Sequence, residues 1–222
     1  MISSTDAPRP ALTPLIELYD VTKSYGPDPV LGPVSLTVHA GEVIGLCGKN
    51  GAGKTTLISI LAGTLQPDGG RIRRDPSLHR AVGFVPQEIA LYPTLSGRDN
   101  LRFWADAYGL PARAAKARVN WLLGLMQLTD KGRSRVETYS GGMKRRLNLA
   151  SAIVITPRML LLDEPTVGAD AASTEIILSV IRQLRHNGCG VVLITHQYEQ
   201  LSAVSDRILT LEAGRFVPAE TV

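Results

Sequence analysis

Gly48-Lys49-Asn50-Gly51-Ala52-Gly53-Lys54-Thr55 follows the apolar run Val43-Ile44-Gly45-Leu46-Cys47 and leads into a helical pattern from Thr55 to Ala62 that stops at Gly63. A short apolar run of this kind fits a strand buried on both faces, and a glycine past the helix supplies its terminus. Between strand and helix, Gly51 and Gly53 have no side chains to obstruct backbone N–H groups that point together, and the helix adds its positive end. Such a cradle holds phosphate. Lys54 is placed to neutralise β- and γ-phosphates, and the Thr55 hydroxyl to ligate magnesium. Gly48, Lys49, Asn50, Ala52 and Thr56 complete the stretch that would wrap a nucleoside triphosphate.

A second glycine pair lies far downstream. Ser140-Gly141-Gly142 opens a helical pattern through Leu147, Leu149 and Ile153, and offers a hydroxyl beside exposed N–H groups. Taken alone it would be a helix cap, yet one fold unit does not need two cradles for one γ-phosphate. Shortly after it comes Leu160-Leu161-Leu162-Asp163-Glu164-Pro165. A strand's carboxyl end would set Asp163 beside the glycine loop, where it is the natural carboxylate for holding magnesium through water. Glu164 would face the far side of the γ-phosphate, with the role of orienting and deprotonating an attacking water.

The remaining pattern supplies the framework. Ile16–Val21 and Val34–Val38 read as strands, and Val82-Gly83-Phe84-Val85 as a buried strand closed by Pro86. From about Glu88 to Ala152 β-branched runs give way to helical spacing. Ser96 with Asp99 resembles a capping box opening a helix through Leu101, Trp104 and Tyr108. Val119, Leu122, Leu123 and Met126 form another apolar face, and Trp104 and Trp121 are expected to be packing anchors. After Pro157 the alternation resumes: a strand over Met159–Asp163, a helix over Ala171–His186, a strand over Gly190–Thr195, a short helix over Glu199–Val204 and a strand over Arg207–Leu211. This order predicts an α/β fold, a mostly parallel sheet flanked by helices with a helical insertion.

Composition narrows the class. The 222 residues are 44% hydrophobic and 20% charged, ordinary for a globular chain of one large domain or two intimate subdomains. Residues 1–14, with three prolines, read as a loose leader. No stretch approaches the ~18 uninterrupted apolar residues of a membrane span, so a role at a membrane would need a partner. Cys47 and Cys189 read as small buried thiols, and neither has the spacing of a metal site. The net charge of +4 gathers at Arg71, Arg73 and Arg74, at Arg133 and Arg135, and at Lys144, Arg145 and Arg146, all read as solvated faces.

Together these motifs resemble the ATP-binding subunit of ABC (ATP-binding cassette) proteins over nearly the whole chain after about residue 15. The resemblance implies a P-loop NTPase, RecA-like core (about 15–87 and 153–222) with an antiparallel β subdomain and an inserted α-helical subdomain (about 88–152). It implies ATP and Mg2+ as ligands, each ATP lying between the glycine loop of one subunit and the Ser-Gly-Gly helix start of another. Tyr25 matches the aromatic that stacks on adenine, and Gln87 the glutamine that contacts magnesium and water and couples to the partner domain. Asp170 matches the aspartate that reaches across the pair, and His196 the histidine at the γ-phosphate. The catalytic set so implied is Glu164, His196, Lys54 and Gln87. The metal set is Thr55, Gln87 and Asp163.

Tyr139-Ser140-Gly141-Gly142-Met143, with Met143 where many members carry glutamine, and Lys144-Arg145-Arg146-Leu147 resemble type-2 exporter subunits of the daunorubicin-resistance kind. The expected partners are a second ATP-binding subunit and a separate multi-span membrane permease on the cytoplasmic face of the cell membrane, with no nucleic acid. A soluble non-transport ABC ATPase acting on ribosomes or nucleic acid is the alternative; the single cassette and the lack of a coiled-coil insertion weigh against it. A regulatory module without turnover is weighed against by the intact Glu164 and His196. Cargo would be chosen by the membrane subunits.

Overall fold

The computed structural model describes residues 13–217. The leader expected over residues 1–14 lies outside the described residues as far as residue 12, and Pro14 already belongs to the first strand. Strands β1 (Pro14–Tyr25) and β2 (Asp28–His39) form a long antiparallel hairpin, and β4 (Gly69–Arg74) joins β1 on its other side, giving a sheet of order β2-β1-β4.

A second sheet contains β3 (Val43–Cys47), β5 (Val82–Val85), β6 (Met159–Asp163), β7 (Gly190–Ile194), β8 (Arg207–Glu212) and β9 (Arg215–Val217). Its order is β5-β6-β7-β3-β8-β9, parallel except for the last pair. The reason β3, β6 and β7 read as unbroken apolar runs is that they are buried on both faces. Alternate residues divide between two cores. Val43, Leu160, Leu162, Val191 and Leu193 face one, while Ile44, Leu46, Met159, Leu161, Val192 and Ile194 face the other. The latter core is closed by helix α1 (Lys54–Ala62) and the antiparallel sheet. Leu161 is fully buried there, and Leu161→Ala would cost about 2–5 kcal/mol.

Residues 97–152 hold α2 (Gly97–Ala107), α3 (Ala112–Leu125) and α4 (Gly141–Ala152). They pack with α5 (Ala171–His186) and α6 (Tyr198–Val204) into the first core. The Ser96 hydroxyl accepts the Asp99 N–H, as a cap should. Trp104 packs against the core as expected, but Trp121 does not: it is 49% exposed and lies under the Arg118 guanidinium, 4.5 Å from its ring centre. The apolar stripe of α3 runs through Ala115, Val119, Leu122 and Leu123, which leaves Trp121 off the buried face.

The basic clusters are not all solvated faces either. Arg74 donates to the carbonyls of Ile60 and Leu61 at the end of α1, satisfying acceptors that a helix terminus leaves open. Arg145 and Arg146 likewise bond backbone carbonyls. Cys47 and Cys189 are free thiols; burial pushes Cys189 up to about 12, beyond easy ionisation, and Cys47 is partly buried.

Candidate active site

Parallel pairing puts the carboxyl ends of β3, β6 and β7 on one edge of the sheet, where the glycine loop follows β3, Asp163 closes β6 and His196 comes two residues after β7. The loop after β3 is the Gly48–Gly53 turn. Gly53 adopts φ 99° and caps α1, and a Cβ there would lie 2.7 Å from the Val30 carbonyl oxygen, so only glycine fits. Lys54 then starts α1, and its ammonium donates to the carbonyls of Gly48 (2.6 Å) and Lys49 (2.9 Å). The amine is thereby held at the mouth of the cradle.

A cleft of about 460 Å³ opens above this loop, lined by Val30, Asn50, Gly51, Gly53, Lys54, Thr55, Thr56, Gln87, Asp163, Glu164 and Ile194. Thr55 donates its hydroxyl to the buried Asp163 carboxylate at 3.0 Å. Burial pushes the Asp163 carboxyl above its ordinary range, while the Thr55 hydrogen bond and the Lys54 charge pull it down. A carboxylate that is costly to bury and lies next to a hydroxyl is a fitting pair of oxygen donors for a hard cation.

Glu164 leaves the sheet with φ 50°, a left-handed conformation uncommon for a residue with a side chain. Its N–H still bonds the Ile194 carbonyl at 3.0 Å, so β6 is held for one residue beyond its end while the side chain turns toward the cleft. One carboxylate oxygen lies 3.2 Å from His196 Nδ1; the other is buried with no partner among the described residues. An unpartnered buried oxygen costs stability, and a water in the cleft would satisfy it. His196 follows the buried Thr195 at the end of β7 and is itself exposed.

Gln87 follows β5 and reaches the cleft from the side of the helices. The chain after it is pinned twice: Ala90 N–H donates to Asn148 on α4 (3.2 Å), and Asn100 on α2 exchanges bonds with the backbone of Tyr92 (2.8 and 3.0 Å).

The other motif residues lie elsewhere. Lys49 and Ala52 face a separate depression with Glu212 and Ala213. Tyr25 ends β1 and is 52% exposed, outside the lining of the cleft. Ser140, Gly141 and Gly142 start α4 and do not line it. The Ser140 hydroxyl accepts the Met143 N–H at 3.2 Å, and the first turn packs on the start of α5: a Cβ on Gly142 would lie 2.8 Å from Ser173 Cβ. Asp170 caps α5 by accepting the Ser173 N–H at 2.7 Å, which holds its carboxyl below the usual range. Val30 and Ile194 line the cleft without a sequence signal, being apolar residues in apolar runs. Arg145, one of three consecutive basic residues, carries no sequence signal that sets it apart from its neighbours.

Residues 31–167 match the family described as ABC transporter. The chain is 37% identical over 215 residues to the linearmycin resistance ATP-binding protein LnrL of Bacillus subtilis (strain 168), covering 93% of this chain and 69% of that one. It is 39% identical over 207 residues to the daunorubicin resistance ATP-binding protein DrrA3 of Streptomyces coeruleorubidus (90% and 66%). It is 36% identical over 216 residues to the Nod factor export ATP-binding protein I of Cupriavidus pinatubonensis (94% and 66%). The chain thus spans about two thirds of the length of these relatives. A solved structure described as "Structure of ATP binding subunit of ABC transporter" superposes with a TM-score of 0.83 at 29% identity, over 91% of this chain and 88% of that one.

Proposed function

The chain belongs to the ABC transporter family, and from that premise we propose that it is an ATP-hydrolysing subunit that pairs with a second copy on ATP and powers a membrane exporter. The observation that carries the chemistry is the convergence of Lys54, Thr55, Gln87, Asp163 and Glu164 on one cleft, with a buried Glu164 oxygen left for a water. Resistance and Nod factor export subunits among the relatives favour an exporter over the non-transport alternative. No helix of the described residues is long and apolar enough to cross a membrane; the proposal assigns passage to a membrane permease partner.

In this proposal the glycine-loop N–H groups and Lys54 hold the β- and γ-phosphates. Thr55, Asp163 and Gln87 would hold Mg2+, which when bound neutralises phosphate charge. Glu164 accepts a proton from the water whose oxygen bonds the γ-phosphorus as the bond to the ADP oxygen breaks. His196 steadies the Glu164 carboxylate from the open side. Tyr25 would stack on the adenine. Ser140, Gly141, Gly142 and Asp170 would complete the partner's site. The division into a nucleotide core (15–87 and 153–222) and a helical arm (88–152) belongs to the same reading, with Gln87 passing closure to the arm and so to the permease.

Glu164→Gln tests it. Phosphate release should fall by about 10²–10⁴-fold, while ATP should still bind and convert the variant to dimers in sedimentation velocity. Undiminished phosphate release would remove Glu164 as the base, and a chain that stays monomeric with ATP would overturn the pairing.

A further inference from the structure

Arg145 lies five residues beyond Ser140 on α4, and its guanidinium spans two loops of the candidate site. Nε donates to the Val167 carbonyl at 2.9 Å, and Nη1 donates to the Gln87 carbonyl at 2.6 Å. Gln87 sends its side chain into the cleft, whereas Val167 lies in the short segment between Glu164 and Asp170. One side chain therefore ties together the residue before the arm, the segment after the proposed base and the helix that begins at Ser140.

Two further contacts make this tie mechanical. The first turn of α4 rests directly on the same segment: a Cβ on Gly141 would lie 2.8 Å from the Gly168 carbonyl oxygen, so this turn and the segment have no room to approach further. On the opposite side, Arg146 donates to the Met126 carbonyl at 2.6 Å and fastens α4 to the end of α3. Helix α4 is thus gripped by the site through Arg145 and by the arm through Arg146. A guanidinium is a planar fork with fixed N–H directions, so displacing one acceptor reorients the bond to the other. Both bonds come from a charged donor that burial partly desolvates, which makes them the stronger kind.

We propose that Arg145 is a positioning residue that couples occupancy of the cleft to the presentation of the Ser140 helix start, so that the two nucleotide sites of a pair act cooperatively. A ligand that draws in the Gln87 side chain moves its carbonyl; Arg145 passes that shift to Val167 and to the first turn of α4, which faces the partner's nucleotide. This rests on the pairing proposed above and adds to it the residue through which one site informs the other.

The test uses Arg145→Ala and Arg145→Lys, each in the otherwise natural chain and in the Glu164→Gln chain. Affinity for a fluorescent ATP analogue, measured at protein concentrations below pairing, should stay within about twofold, because the cleft lining is unchanged. ATP-dependent dimer formation of Arg145→Ala/Glu164→Gln should weaken by about tenfold, within the 5–150-fold span of typical couplings. The Hill coefficient of phosphate release should fall toward one, with the apparent KM rising more than kcat falls. Arg145→Lys should recover only part, since an ammonium on a flexible stem lacks the rigid fork that fixes the direction of one bond relative to the other.

A merely structural role would instead lower the melting temperature and the monomer's affinity together. Unchanged pairing and an unchanged Hill coefficient in Arg145→Ala would overturn the proposal while leaving the paired ATPase intact; if that variant does not fold, the same result in Arg145→Lys overturns it. Should Glu164→Gln alone fail to pair on ATP, the pairing and this coupling fall together.

Discussion

The helix starts at Lys54 and at Gly141 share one chemistry and differ in everything around it. Both place glycines and free N–H groups at the positive end of a helix. The first opens into a cleft with Asp163, Glu164 and Gln87 on its walls, because β5, β6, β7 and β3 end side by side in that order. The second lines no such cleft; its serine is exposed and caps its own helix, and Asp170 beside it is engaged in capping α5. A phosphate-binding helix start becomes a hydrolytic site only where sheet edges deliver carboxylates. Without them it can recognise phosphate but not activate water, which is what one half of a shared site would require.

Lys54→Ala strikes the first start alone and has the largest expected effect. Truncating one partner of a close charge pair costs about 2–5 kcal/mol, so affinity for a fluorescent ATP analogue should fall ~10²-fold or more. Pairing should vanish with it. Retained affinity would mean that the phosphates do not sit on this loop, and the comparison would lose its first term.

Ser140→Gly strikes the second start alone. Glycine in place of serine at a helix N-cap costs only a few tenths of a kcal/mol, so the helix survives and the hydroxyl is isolated. The lone chain should bind the analogue as before, while ATP-dependent dimers of the Glu164→Gln form weaken by about tenfold, the value of one hydrogen bond to a charged group. Equal losses of monomer affinity and pairing would place Ser140 in its own chain's cleft and abolish the contrast.

How much of this was legible in sequence follows from where each signal originates. β3, β6 and α1 were readable because burial on both faces forces unbroken apolar runs and because a phosphate loop demands glycine and lysine at fixed spacing. Strand β4 was not, since Gly69–Arg74 contributes one apolar residue, Ile72, to a strand that has a single hydrogen-bonded neighbour; the three residues of β9 are too few to alternate. Tyr25, Asp170 and Gln87 were nameable through family resemblance rather than residue chemistry. Arg145 was hidden because a run of basic residues looks alike whether its members face water or bond carbonyls; only the placement of Gln87 and Val167 separates them. Trp121 shows the converse, a residue type typical of cores left on the surface by its place on α3.

Glu42 lies at neither helix start, so changing it separates the stability of the scaffold from the chemistry of both. Its side chain is almost fully buried and accepts bonds from the His39 N–H (3.0 Å) and the Arg207 guanidinium (2.7 Å), with the His39 ring 2.9 Å away, tying the β2–β3 turn to β8. Burial by itself would push the carboxyl up, but the bonds from His39 and Arg207 prevail and hold it below the usual range. A depressed acid favours the folded state when ionised, so its contribution is present above the unfolded-state value and is lost as pH falls through the lower folded one. Glu42→Gln should therefore lower stability at neutral pH by about 2 kcal/mol, the range for a hydrogen bond to a charged group, or roughly 4–8 °C in Tm for a domain of this size. The gap to the natural chain should close as the buffer is taken down through the carboxylate range. Under native conditions, analogue binding and ATP-dependent pairing should both hold within about twofold, as expected for distant, independent positions. A Tm difference that persists undiminished into acid would show that packing, rather than the ionised carboxylate, is what Glu42 supplies.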